Sequence, residues 1–220
     1  MVAVAYDLRM LQRDDVALLH EAMSLAFHFD PKDDWKEELA EFLEWERTFG
    51  VFDGGEIVGT GGIITFDVAV PGGSQHAGGL TIITVRPTHR RRGILTQMMR
   101  HHLQDGQNRG ESLAILHASE AVIYERFGYG LAIEPVNYKL DSRHAALRPR
   151  SPAGRVGILP ADKAIPSLRA VYDAMGTRRP GWVGRDEERW SRRLGFDPES
   201  VRDGFTRRLI AVYEEDGDAL

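Results

Sequence analysis

No cysteine occurs among the 220 residues. Disulfides, thiolate metal ligands and a cysteine nucleophile are therefore excluded. Apolar runs are short, far below the ~20 residues that a membrane span needs. The N-terminus, MVAVAYDLRMLQRDD, lacks the charged start and apolar run of a secretion signal. The reading is of a soluble cytoplasmic protein that makes no use of a membrane. The eight histidines pair with acids at no convincing metal spacing, so no metal is expected. Overall positive charge is also missing: the net charge is −5 and the pI about 5.9, which disfavours nucleic acid as a partner. What remains is ordinary globular composition, 42% hydrophobic and 28% charged, enough for one large domain or two small ones.

The charge is unevenly spread. Residues 86–109 carry six arginines and one acid, while residues 30–46 carry eight acids and two lysines. Along the chain, YDLRML (6–11) predicts a short strand. The spacing of Val16, Leu19, Met23 and Phe27 predicts a helix over 13–28. A second helix is predicted over 32–46. Alternation around Asp53-Gly54-Gly55 predicts a hairpin with strands near 49–52 and 56–70. Gly59, Gly61 and Gly62 fall inside the second of these strands and lack the spacing of a dinucleotide loop. GGLTIITV then reads as a buried strand, followed by a basic loop and a helix from Ile94 to Asn108, ended by Gly110. SLAILHAS is a further strand, SEAVIYERFGYG a short helix, and PVNYKL another strand.

Residues 142–155 have no periodicity and mark a boundary between residues 1–141 and 156–220. Beyond it, VGILPADKAIPSLRAVYDAM repeats the rhythm of YDLRMLQRDDVALLHEAM, and RRLIAVYEEDGDAL that of RTFGVFDGGEIVG. The second copy stops in mid-hairpin, so the chain is expected to be a fragment of a longer protein.

The densest positive charge, Arg90-Arg91-Arg92, runs into Gly93 at the start of the third helix. A helix N-terminus offers unpaired N–H groups and the positive end of the dipole. Glycine there allows close approach, and arginine adds bidentate contacts to phosphate oxygens. A strand, an Arg-rich Gly loop and a helix start make a diphosphate cradle. No Gly-Lys-Ser/Thr follows, which argues against a P-loop and Mg²⁺–nucleotide hydrolysis.

Arg90-x-x-Gly93 after LTIITV resembles motif A of the GNAT N-acetyltransferases. Leu95 departs from the usual Gly or Ala at its position. That departure, with PTHRRRGILT and LHASEAVIYERFGYG, resembles a narrower group, the Eis (enhanced intracellular survival) acetyltransferases. The resemblance implies an α/β (α+β) acyl-CoA N-acyltransferase fold. Its mixed, mostly antiparallel sheet is flanked by helices, and the start of a second GNAT-like domain follows. Members of the group fuse two such domains to a C-terminal sterol-carrier-like domain, and they acetylate amines of aminoglycosides and sometimes lysines. A homo-oligomer is expected for the full-length form.

By resemblance, acetyl-CoA is the co-substrate. Ile83, Thr84 and Val85 would line the acyl arm, and Arg90, Arg91, Gly93, Ile94 and Leu95 the pyrophosphate. Arg92 is expected to point elsewhere. Tyr124 would protonate the departing thiolate. Ser119 would contact the acceptor or the thiol, or cap the helix that follows. His117 would orient the acceptor or relay its proton. Phe27 and Trp35 in the acidic segment, with Ile82, are the expected acceptor-binding residues for a small-molecule amine, polycations among the candidates. The group's terminal carboxylate, which helps accept the amine proton, has no match at Leu220. Two other readings compete. One is a degenerate GNAT domain that binds CoA as a regulatory or structural partner. The other is a nucleic-acid module using the arginine loop.

Overall fold

The computed structural model describes residues 6–134, 136–139, 141, 143, 154–176, 179–202, 204–215 and 218–219. The chain divides into two compact units, one of residues 1–68 and 74–130, the other of residues 69–73 and 131–220.

The first unit is a five-stranded sheet in the order β1-β2-β3-β4-β5, with β1 at Asp7–Met10, β2 at Thr48–Asp53, β3 at Glu56–Val70, β4 at Gly73–Val85 and β5 at Leu113–Leu116. β1 and β2 pair antiparallel, as do β2 and β3, which are joined by a two-residue turn with Gly54 at φ +60°. β4 and β5 are parallel. A parallel pair needs a crossover, and α3 (Ile94–Arg109) supplies it. Helices α1 (Val16–Phe27) and α2 (Asp33–Phe42) fill the long connection from β1 to β2.

Strand periodicity sorts the core into two layers. Successive residues of a strand face opposite sides, and the irregularity that leaves Val58 unpaired between Val51↔Gly59 and Phe52↔Ile57 shifts that alternation by one, so Val58 and Ile63 join Phe49, Val51, Ile94, Met98 and Met99 in one cluster. Their neighbours Ile57 and Ile64 join Leu19, Met23, Leu39 and Leu43 in the other. α3 covers the first face, and α1 and α2 cover the second. With helices on both sides, β3 is buried over eight consecutive residues, Ile57 to Ile64. The strand glycines are packing positions: a Cβ at Gly59 would lie 2.9 Å from Ile94 Cγ2. α3 approaches β3 closely because that Cβ is absent.

The second unit has β6 (Arg155–Leu159) antiparallel to β7 (Ile210–Glu215), which pairs with β8 (Asp218–Ala219). Between β6 and β7 lie α4 (Ala161–Gly176) and α5 (Glu187–Gly195). Strand, two helices and an antiparallel return strand thus open both units, the order that the two similar sequence rhythms predict.

Three local expectations change. The stretch SEAVIYERFGYG forms two 3₁₀ turns, Ala121–Ile123 and Glu125–Phe127, ended by Gly128 at φ +91°. α2 ends at Phe42, and Trp45–Arg47 is a separate 3₁₀ turn pinned by the Trp45 indole N–H donating to the Ala40 carbonyl at 2.9 Å. Residues 136–139 of PVNYKL are not strand, and Val136 and Tyr138 stand exposed. A strand needs a ladder partner, which periodicity alone does not supply. Most of the expected linker, 142 and 144–153, lies outside the described residues. Among the described residues no helix is long and apolar enough to cross a membrane.

Candidate functional site

β5 is short. Its ladder with β4 runs from Ala77 opposite Leu113 to Leu80 opposite Leu116, and stops there. β4 continues five residues further, from Thr81 to Val85. On its β5 side those residues have no partner strand among the described residues, which leaves peptide N–H and C=O groups facing an open slot. The strand then leads into Pro87–His89, the arginines and α3.

At the start of α3, Gly93 takes φ +86° as the N-cap, and Arg91 just before it φ +61°. A Cβ added at Gly93 would meet no other part of the protein within 4 Å. The first bond of the helix is Gln97 N–H to the Gly93 carbonyl at 3.0 Å. The N–H groups of Ile94, Leu95 and Thr96 therefore remain available. Arg90 and Arg91 are exposed and make no ion pair among the described residues. Arg92 instead turns to the Tyr6 hydroxyl at 3.3 Å, and Arg86 pairs with Glu56. Two free guanidiniums and three free amides around an unobstructed glycine suit a diphosphate. The open β4 edge suits the amide-bearing arm of a donor such as acetyl-CoA. Among the described residues no group of His, Asp and Glu is placed to hold a metal.

Ile83, Val85, Leu95 and Tyr124 pack against the same core cluster, which Ile94 belongs to. Structure thus gathers the strand, the helix start and the tyrosine on the α3 face. Burial raises the Tyr124 pKa, so the phenol stays protonated at neutral pH. Its hydroxyl has no hydrogen-bond partner among the described residues. His117 and Ser119 lie exposed between β5 and the first 3₁₀ turn. The N-cap of that turn is Glu120, so Ser119 does not cap it. Thr84 is buried, and its hydroxyl lies against Thr60 at 2.7 Å. Ile82 belongs to the other side of the sheet, packed with Leu43 near Gly62. Phe27 and Trp35 stand about half exposed on α1 and α2, the helices that cover this side.

Two groups escaped the sequence reading. Behind Tyr124, the Tyr129 ring meets it edge-on at 6.1 Å, and the Tyr129 hydroxyl is 2.7 Å from His102 Nε2. Burial above all, and then the Arg47 charge, lowers the His102 pKa to about 4. Burial raises that of Tyr129. The pair is neutral, and nothing in an apolar helical stripe announces it. Arg47, wholly buried, donates Nε to Asp105 at 2.8 Å, Nη1 to Glu111 at 2.7 Å and to Thr65 at 2.8 Å, and Nη2 to both acids. It ties the turn before β2 to the end of α3 and the start of β5.

A β4 edge left open beyond a short parallel pair, and leading through a basic loop into a helix N-terminus, is the arrangement of an acyltransferase fold of GNAT type. Residues 7–132 match the acetyltransferase (GNAT) domain, and the chain belongs to that family. It is 39% identical to an uncharacterized N-acetyltransferase of Streptomyces avermitilis over 97% of its own length and 53% of the relative's. It is 32% identical to the N-acetyltransferase Eis of Mycobacterium bovis over 78% of its length and 44% of that protein's. The crystal structure of Eis1 from Mycobacterium abscessus superposes with a TM-score of 0.73 at 34% identity, covering 95% of this chain and 51% of that one. The chain spans about half the length of the curated relatives it matches.

Proposed function

We propose that the protein transfers the acetyl group of acetyl-CoA to a primary amine, of an aminoglycoside-like polycation or a lysine side chain. The observation that carries this reading is the open β4 edge from Thr81 to Val85, which runs into the Gly93 helix start with Tyr124 on the same face. The co-substrate supplies a thioester-activated acetyl group. Arg90, Arg91 and the amides of Ile94 and Leu95 bind its diphosphate, and the free backbone of Ile83 to Val85 pairs with its arm.

The acceptor nitrogen attacks the acyl carbon, the C–N bond forms and the C–S bond breaks. A β4 N–H stabilises the carbonyl oxygen as it gains charge. The Tyr124 hydroxyl gives its proton to the departing sulfur. The amine's surplus proton leaves to solvent or to a base. The acidic run over 30–46, with Phe27, Trp35 and Ile82, is the proposed acceptor side, and His117 and Ser119 precede Tyr124 in sequence.

Tyr124→Phe tests the assignment in the natural protein. Thiol release from acetyl-CoA in the presence of an aminoglycoside should fall ~10²-fold, the usual scale for a general acid. Calorimetric affinity for CoA should stay within about two-fold, because no phosphate contact is touched. Near wild-type turnover in the variant would sink the role of Tyr124. Tight CoA binding by the wild type with no thiol release for any amine would favour the binding-only alternative.

A further inference from the structure

Ile82 has φ +46°. Among the described residues only His28 and Arg91 share a positive φ without being glycine, and both lie at turns or loops. Ile82 is β-branched and lies inside β4. For such a residue the left-handed region is a steric outlier, held only where the surroundings dictate it.

The surroundings are two threonines. The Thr60 hydroxyl donates to the Ile82 carbonyl at 2.6 Å, and its oxygen lies 2.7 Å from that of Thr84. A hydroxyl has one proton. Two oxygens 2.6 Å apart need a proton between them, so the Thr60 proton is committed to Ile82. Thr84 must therefore be the donor in the second bond. The direction is fixed: Thr84 O–H to Thr60 Oγ1, and Thr60 O–H to the Ile82 carbonyl. Thr60 is fully buried and Thr84 nearly so, which keeps water from competing.

The consequence lies across the peptide. In a trans peptide the C=O and the following N–H point in opposite directions. Thr60 is on β3, so it draws the Ile82 carbonyl to the β3 side. The Ile83 N–H is thereby turned to the other side, where β5 pairs no further than Leu80. We infer that Thr60 and Thr84 are positioning residues that lock the Ile82–Ile83 peptide and aim the Ile83 N–H into the open slot, at the acyl oxygen of the donor. The inference rests on the acetyl-transfer reading for the nature of that donor.

Three variants and two readouts test it. Thr60→Val keeps the side-chain shape and removes the donor. Thr84→Val removes only the outer bond. Thr60→Ser keeps the hydroxyl. Thr60→Val should lower kcat about 10²-fold, as loss of one oxyanion donor does, with CoA affinity unchanged within about two-fold. Thr84→Val should lower kcat several-fold, and Thr60→Ser should recover most of the wild-type rate. The second readout needs no turnover. In the wild type, the ¹H–¹⁵N signal of the Ile83 amide should shift further with acetyl-CoA than with CoA, which has no acyl oxygen. In Thr60→Val the two ligands should give the same shift.

Thr60→Ser as impaired as Thr60→Val would overturn the inference, because packing and not the hydroxyl would then matter. An Ile83 amide indifferent to the acyl group in the wild type would overturn it equally. If Thr60→Val does not fold, Thr84→Val and the wild-type amide shift decide. A wild type that binds CoA without releasing thiol would refute the acetyl-transfer reading, and the amide shift alone would still decide the role of the threonines.

Discussion

Acidification should loosen α3 through one side chain. His102 is 1% exposed, hydrogen-bonded to Tyr129, and its pKa is lowered from 6.5 to about 4. Burial disfavours its cation most, Arg47 and His101 oppose it further, and Glu111 and Asp105 favour it. With a folded pKa below the unfolded one, the unfolded chain takes up a proton first. Above pH 6.5 both states are neutral and stability does not depend on this group. Between pH 6.5 and 4 the unfolded state is progressively favoured, by 1.4 kcal/mol per pH unit at most. At pH 4.5 the loss amounts to about 2.5 kcal/mol. Asp105, whose pKa is lowered from 3.8 by Arg109 and Arg47 against the opposition of its own burial, adds a loss that begins only below about pH 5 and is common to the wild type and a His102 variant. The assay is hydrogen exchange of the α3 amides, read from pH 7.5 to 4.5 for the wild type and His102→Gln, which keeps a polar partner for Tyr129 and cannot titrate. The wild type should lose protection relative to the variant only below about pH 6.5. A difference between the two that stays constant across the range would refute the reasoning, and would mean that His102 titrates normally in the fold.

Replacing Arg90 and Arg91 together with Ala removes two charge-assisted phosphate contacts and should weaken acetyl-CoA binding by ~2–4 kcal/mol in calorimetry; unchanged affinity would discard the loop as the diphosphate site. Arg47→Met leaves the buried Glu111 without its guanidinium and Asp105 with Arg109 alone, and breaking a buried pair from one side costs ~3–5 kcal/mol. Thermal unfolding of the first unit should drop by on the order of 10 °C. Gly59→Ala places a methyl 2.9 Å from Ile94 Cγ2 and 3.3 Å from Met98 Sδ. Such overpacking costs ~1–3 kcal/mol, and because Ile94 opens α3, urea denaturation and CoA affinity should both register it.

The strand, basic loop and helix from Gly78 to Arg109 were legible in the sequence, because every signal there is local. An apolar run, a glycine at each end of the helix and a stripe at helical spacing specify that stretch without reference to the rest of the chain. The hairpin at Gly54 and the repeated strand–helix order were legible for the same reason. The site itself was not. The slot depends on where β5 stops pairing, at Leu80, and a register across 36 residues leaves no trace in either strand. Ile82 takes φ +46°, against the preference of a β-branched residue, and its carbonyl is bonded by Thr60, 22 positions away. Arg47 follows directly on an acidic run that looked solvated, yet its partners are Asp105 and Glu111, 58 and 64 residues on. His102 has the spacing of any core residue, and only enclosure beside Arg47 makes it neutral. Secondary structure follows from neighbours along the chain, whereas proton state, strained backbone and open edges follow from neighbours in space.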